Sequence, residues 1–128
     1  MYTTTVINTS ATVVAPAGAD ITGVIGKAVK YDENGKFVLA SKAGEAVIGI
    51  AVLTHADVVK AGEDVTAQVK EIGKAVAGAA IKAGDELAVD ATGALVKASD
   101  GQFVIATALQ SATGAGNIID VQITKYQK

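Results

Sequence analysis

The apolar positions of this chain fall into short runs broken by glycine, and the runs come round twice. Ile21-Thr-Gly-Val-Ile-Gly-Lys-Ala-Val29 has the length and apolar pattern of Ile81-Lys-Ala-Gly-Asp-Glu-Leu-Ala-Val89. Asn34-Gly-Lys-Phe-Val-Leu-Ala-Ser41 matches Thr92-Gly-Ala-Leu-Val-Lys-Ala-Ser99, and Gly44-Glu-Ala-Val-Ile-Gly-Ile-Ala51 matches Gly101-Gln-Phe-Val-Ile-Ala-Thr-Ala108. Last, Ala61-Gly-Glu-Asp-Val-Thr-Ala-Gln-Val69 matches Ala115-Gly-Asn-Ile-Ile-Asp-Val-Gln-Ile123. These blocks, in the same order with small gaps, indicate an internal duplication with copies at about 21–69 and 81–123.

Within each copy the periodicity is that of strands. Val65-Thr-Ala-Gln-Val69 and Ile119-Asp-Val-Gln-Ile123 alternate with period two, the pattern of a strand with one buried face. Ala46 to Val52 is almost continuously apolar, which suits a strand buried on both faces. Ala28–Tyr31 and Lys36–Leu39 flank Asp32-Glu-Asn-Gly35, and Asn-Gly accepts the positive φ of a hairpin turn; Asp90-Ala-Thr-Gly93 is the weaker counterpart. Ala75 to Ala80 is alanine-rich enough for one helical turn, while Gly73 and Gly78 oppose a long helix. The expected fold is all-β: a small barrel or sandwich built from the duplication, as one domain over residues 18–128. Residues 1–17, polar and β-prone and closed by Pro16, stand outside the repeat and read as an extended N-terminal arm that adds a strand to its own sheet or to a neighbouring subunit.

Composition sharpens this. Half of the 128 residues are apolar, yet only two phenylalanines and three tyrosines are aromatic and tryptophan is absent. A core of alanine and valine buries little area per residue, so association with neighbours is the expected source of further burial. The net charge is −2 and the basic residues are all lysine, without the basic stripe and stacking aromatics of a nucleic-acid binder. Cysteine is absent, which removes disulfides, thiol nucleophiles and cysteine metal sites. The first residues lack the basic and long apolar regions of a secretion signal, and no apolar run is long enough for a membrane-spanning helix, so no membrane partner is expected.

Candidate chemistry is sparse. His55 is the single histidine and reads as a solvated loop residue. Gly114-Ala-Gly116 lacks the third glycine and the helix of a phosphate-binding loop. Glu63-Asp64 and Asp85-Glu86 each follow an Ala-Gly turn, and adjacent strand residues point to opposite faces, so neither pair converges by itself. Asp32 to Gly35 and Asp90 lack the oxygen ligands at fixed spacing that calcium requires. Lys82-Ala-Gly-Asp-Glu-Leu87 occurs in biotin- and lipoate-carrying barrels, but the hairpin lysines Lys36 and Lys97 lack the methionine-flanked context of a carrier. No catalytic residue, cofactor or metal is expected.

Ala61-Gly-Glu-Asp-Val65, Ala80 to Val96, Val104 to Ala108 and Ala115 to Ile123, taken in order over roughly residues 15–124, resemble the small capsid decoration, or cement, proteins of tailed bacteriophages. The resemblance implies a β-barrel-like fold, frequent trimers, and no shared catalytic residues. It further implies a place on the outside of the assembled head after synthesis in the host cytoplasm, with the major capsid protein and further copies of the chain as partners. The capsid or protomer contact is expected in the arm, at Tyr2, Thr3, Thr4, Thr5, Val6 and Ile7. Another virion or surface β module, such as a tail component or adhesin domain, is the alternative.

Overall fold

A computed structural model describes residues 11–52 and 58–128. Tyr2 to Ile7 and His55 lie outside the described residues. The first half carries β1 (Thr12–Pro16), β2 (Ile21–Thr22), β3 (Ala28–Tyr31), β4 (Phe37–Leu39), β5 (Gly49–Ala51), β6 (Val58–Val59) and β7 (Asp64–Gln68). The second carries β8 (Ile72–Val76), β9 (Glu86–Val89), β10 (Leu95–Lys97), β11 (Phe103–Ala108) and β12 (Ile118–Gln127). The described chain is all-β, as the alternating and glycine-punctuated runs require.

The two five-stranded sheets have one plan. The first runs β1-β7-β5-β3-β4 and the second, read from its other edge, β8-β12-β11-β9-β10. Registers agree residue by residue. Val29↔Leu39 and Tyr31↔Phe37 recur as Leu87↔Lys97 and Val89↔Leu95, and Ala15↔Val65 recurs as Ala75↔Ile119. In each half one parallel bridge, Ala17↔Phe37 or Ala77↔Leu95, links the first strand to the last. Each sheet therefore curls back on itself without a closing ladder, and the fold is sandwich-like rather than a closed barrel.

The turns repeat as well. Asp32 Oδ1 accepts the amides of Asn34 and Lys36, and Asp90 Oδ1 those of Thr92 and Ala94; Gly35 and Gly93 then supply the positive φ of 76° and 87° that each hairpin needs. Glu45 Oε2 holds the amide of Ser41 and Gln102 Oε1 that of Ser99. A side-chain oxygen in the same place, a carboxylate in one half and an amide in the other, closes each loop.

Three expectations are corrected. The repeat begins before residue 21: Thr12–Pro16, at the end of the expected arm, adds an edge strand to its own sheet, paired to β7 along its whole length with Ala15 and Ala17 buried, and β8 is its counterpart. The stretch from Ala75 to Ala80 forms no helical turn, because Ala75 and Val76 finish β8 and Ala77 makes the parallel bridge. The ungapped match of Ile21–Val29 with Ile81–Val89 is out of step by two residues at its end. Tyr31, not Val29, is the register equivalent of Val89, since the first half has Thr22 and Gly23 extra after Ile21.

The core explains why small side chains suffice. Inside the first sheet, Ala15, Ala17, Val29, Phe37, Ala51, Val65 and Ala67 pack together. The central strands also bury their other face. Ala28 and Ile50, with Ala40 and Val47, join the core of the second half around Leu87, Leu95, Ile105 and Val121. Within the near-continuous apolar run, β5 itself is buried throughout for this reason, while Ala46 is exposed. Among the described residues no polar or charged side chain is buried.

Candidate interaction surface

Main-chain bonds hold the two halves at a seam. Val76 N–H donates to Gly26 O at 2.8 Å, Ala28 N–H to Gly93 O at 2.8 Å, Gly44 N–H to Val89 O at 2.9 Å and Phe103 N–H to Gly44 O at 3.1 Å. Gly26 is required there: its φ is +81° and an added Cβ would sit 2.9 Å from Val76 Cγ2. At the margin of the seam opens a mostly apolar cleft of about 370 Å³, lined by Ala51, Val52 and Gln68 of the first half and by Gly73, Lys74 and Ile118 of the second.

Beside the cleft the surface is unusually apolar. Ile72 and Ile118 are each 62% exposed and Val14 is 54% exposed. These side chains lie on β8, β12 and β1, at odd spacing from Ala75, Ile119 and Ala15, which face inward, so alternation turns them to the outer face. Lone exposed aliphatics are ordinary, whereas isoleucines on the paired strands β8 and β12, one of them lining an apolar cleft, form a surface suited to a partner. The outer edge of β8 adds main-chain valence. Val76 N–H and Ile72 O point away from β12, to Gly26 O and Gln68 Nε2, and by alternation the N–H and C=O of Lys74 between them point the same way.

The acidic residues singled out in the sequence have local work. Glu63 accepts the amide of Lys60 at 2.7 Å, and Asp85 that of Lys82 at 2.9 Å. Each closes the glycine turn that precedes a strand. Asp64 opens β7 opposite Pro16, and Glu86 opens β9 beside Tyr126 Oη and Lys128 Nζ, the latter at 3.2 Å. The hydrogen bond from Tyr126, then that from Lys128, holds the Glu86 carboxyl below its ordinary range, and Glu86 in turn raises the Tyr126 phenol. Asp32 is lowered chiefly by the Lys36 amide. For Glu45, burial alone would raise the pKa, but the ammonium of Lys30 at 2.8 Å and the amides of Ser41 and Lys42 outweigh it and the carboxyl is lowered. No group of three or more Asp, Glu, His or Cys side chains converges among the described residues. The hairpin lysine Lys97 is exposed on β10, and Lys36 is exposed just before β4.

Sequence reasoning missed the cleft and its isoleucines. Ile72 and Ile118 each follow a turn and begin a strand, which reads as strand propensity and not as surface. What marks them is their exposure, and that depends on which strands stand at the edge.

No family model matches the chain, and no curated protein sequence does. Among solved structures, the N base of the head fiber gp8.5 of bacteriophage phi29 has the same fold, with a TM-score of 0.67 over 91% of this chain and 96% of that one, at 19% identity. At that identity the likeness establishes a common fold.

Proposed function

We propose that this protein is a non-catalytic structural component of a bacteriophage virion, a decoration protein that binds the outside of the assembled head and stabilises it. The observation that carries the reading is the fold: nearly the whole chain follows the base of a phage head fiber, and its glycine-turn blocks resemble capsid decoration proteins in order and spacing. The exposed aliphatics around the seam supply apolar contact area, and the edge of β8 supplies main-chain groups, for the major capsid protein or for further copies in a trimer on the lattice. Tyr2, Thr3, Thr4, Thr5, Val6 and Ile7 are the proposed arm contact, preceding the edge strand β1 in the chain. A base module for a longer head appendage is the second reading, favoured by the neighbour being a fiber base.

The test is addition of the protein to expanded, undecorated heads. A ligand that binds only the assembled lattice stabilises each site by RT ln(1 + [L]/Kd), about 2.7 kcal/mol at a hundredfold excess over Kd. Heads should break at higher temperature, and binding should survive moderate salt because the chain has no arginine and little net charge. Deleting Tyr2 to Ile7 should weaken binding more than it lowers the melting temperature of the free protein. No binding at micromolar protein, or binding without a change in disruption temperature, refutes the proposal. Electron microscopy of decorated heads separates a low knob from a fiber base.

A further inference from the structure

Because the two halves share strand order and register, every residue at the seam has an equivalent in the other half, and the equivalents show what covers the same face of each half. The first half presents an accepting face built on Gly26, Ala28, Gly44 and Ile50, which takes the edge and hairpin turn of the second half. On the second half the corresponding residues are Gly84, Glu86, Gly101 and Thr107. Gly84, unlike Gly26, has open space where a Cβ would go. The place beside Gly101 is taken. Gly101 N–H donates to Lys128 O at 3.0 Å, as Gly44 N–H donates to Val89 O, and Lys128 N–H returns to Gln102 O at 2.9 Å.

The path of the chain explains this. Glu71 and Lys125 are equivalent in register and are the non-glycine residues with positive φ among those described, at 72° and 41°. Glu71 lies just past the end of β7, whereas Lys125 lies inside β12, where the chain is still paired to β11. After Glu71 it runs into the second half. At Lys125 a bulge sets Thr124 and Lys125 opposite Ile105, and β12 then continues along β11, pairing Tyr126 with Val104 and Gln127 with Phe103. Tyr126 and Lys128 then bind Glu86, and the Lys128 ammonium reaches Ala98 O at 3.4 Å. Ala88, Ala98 and Val104 are buried as a separate small cluster on that face.

We infer that residues 125–128 are a cap that keeps this two-unit repeat from continuing head to tail into a second copy. The opposite end of the array is open: the Asn34-Gly35 turn is exposed, where its equivalent at Gly93 docks on Ala28. Uncapped, the second half's accepting face would meet the first half of another chain in a contact that repeats without closing. Two substitutions in the sequence act in the same direction as the cap. Pro16 stands where Val76 donates its N–H, and Glu86 places a carboxylate where Ala28 is buried.

The test compares the free 128-residue chain with a variant that lacks residues 125–128 and carries Glu86→Ala, by sedimentation velocity over a concentration series. The uncapped variant should give species that grow with concentration to at least twice the mass of the full chain. Adding Gly35→Asn should abolish the growth. Asparagine tolerates positive φ, and Gly35 has nothing within 4 Å in the single chain, whereas a Cβ at its docked equivalent lies 3.2 Å from Ala28 O. If the deletion does not fold by circular dichroism, the undeleted chain carrying Glu86→Ala with Lys125→Val, which opposes the positive φ and loosens the tail, takes its place. A folded uncapped variant with the mass of the full chain at every concentration overturns the inference, as does growth that persists with Gly35→Asn.

Discussion

Replacing Ile50 by alanine probes the central claim about packing, because its register equivalent, Thr107, is a built-in control. Ile50 is 1% exposed and sits on the outward face of β5, in the cluster that joins the halves. Thr107 occupies the same ladder position, opposite Gln122 as Ile50 is opposite Gln68, but is only partly buried. Truncating a buried isoleucine removes its transfer energy and leaves a cavity. The Ile50 site is walled by strands of both sheets and cannot collapse freely, so about 3 kcal/mol is expected from the usual range of roughly 2–5. Thr107→Ala should cost under about 1 kcal/mol, since it removes a partly solvated hydroxyl and methyl. For a chain of this length a loss of about 3 kcal/mol lowers Tm by roughly 10 °C or somewhat more. Urea denaturation and calorimetry of both variants measure the difference. A split of the Ile50→Ala transition into two, with the second half melting apart from the first, would locate the damage at the seam. Equal costs at the two positions would refute the reasoning, because they would mean that this side of the first sheet does not pack on the second half.

Gly49→Ala should be among the most damaging single-methyl additions. The new Cβ would lie well inside 3.0 Å of the Gln68 carbonyl oxygen, a backbone atom in the ladder that cannot swing away, and a loss of about 2–3 kcal/mol is expected in chemical denaturation. Gly62→Ala, at φ +89° in open space, should lose only about 1–2 kcal/mol from backbone strain. Acid should weaken the fold through Glu45 and Asp32. Both carboxyls are lowered in the folded chain, so their contribution is complete above the unfolded carboxylate range and is lost as pH falls through the folded values. Glu45→Gln should flatten the stability profile below about pH 5, and a profile unchanged by that substitution would show that the Lys30 pair contributes nothing.

Much of this architecture is local and therefore legible in the chain. Positive-φ turns need glycine or asparagine, so Asn34-Gly35 and Thr92-Gly93 announce hairpins without knowledge of the rest. A strand with one buried face must alternate, so Val65 to Val69 and Ile119 to Ile123 declare themselves, and the unbroken apolar run around Gly49–Ala51 declares a strand covered on both sides. The order of these blocks carried the repeat, and with it the two sheets of one plan.

What the chain does not carry locally is which strand stands beside which. Thr12–Pro16 looks like an arm because its partner, Asp64–Gln68, lies some fifty residues away, and because its counterpart Ile72–Val76 shares strand habit with it and almost no letters. The alanines from Ala75 to Ala80 have the composition of a helical turn, and only the ladder to β12 and the bridge to Leu95 hold them extended. Ile118 is exposed and Ile119 buried because successive strand residues point to opposite faces and only one face meets the core, and no propensity distinguishes two isoleucines in a row. The cap at residues 125–128 is likewise a tertiary fact. Glu71 and Lys125 share a positive φ, but after one the chain runs into a second half and after the other it stays paired to β11, and only the surface that each segment meets in space makes that difference.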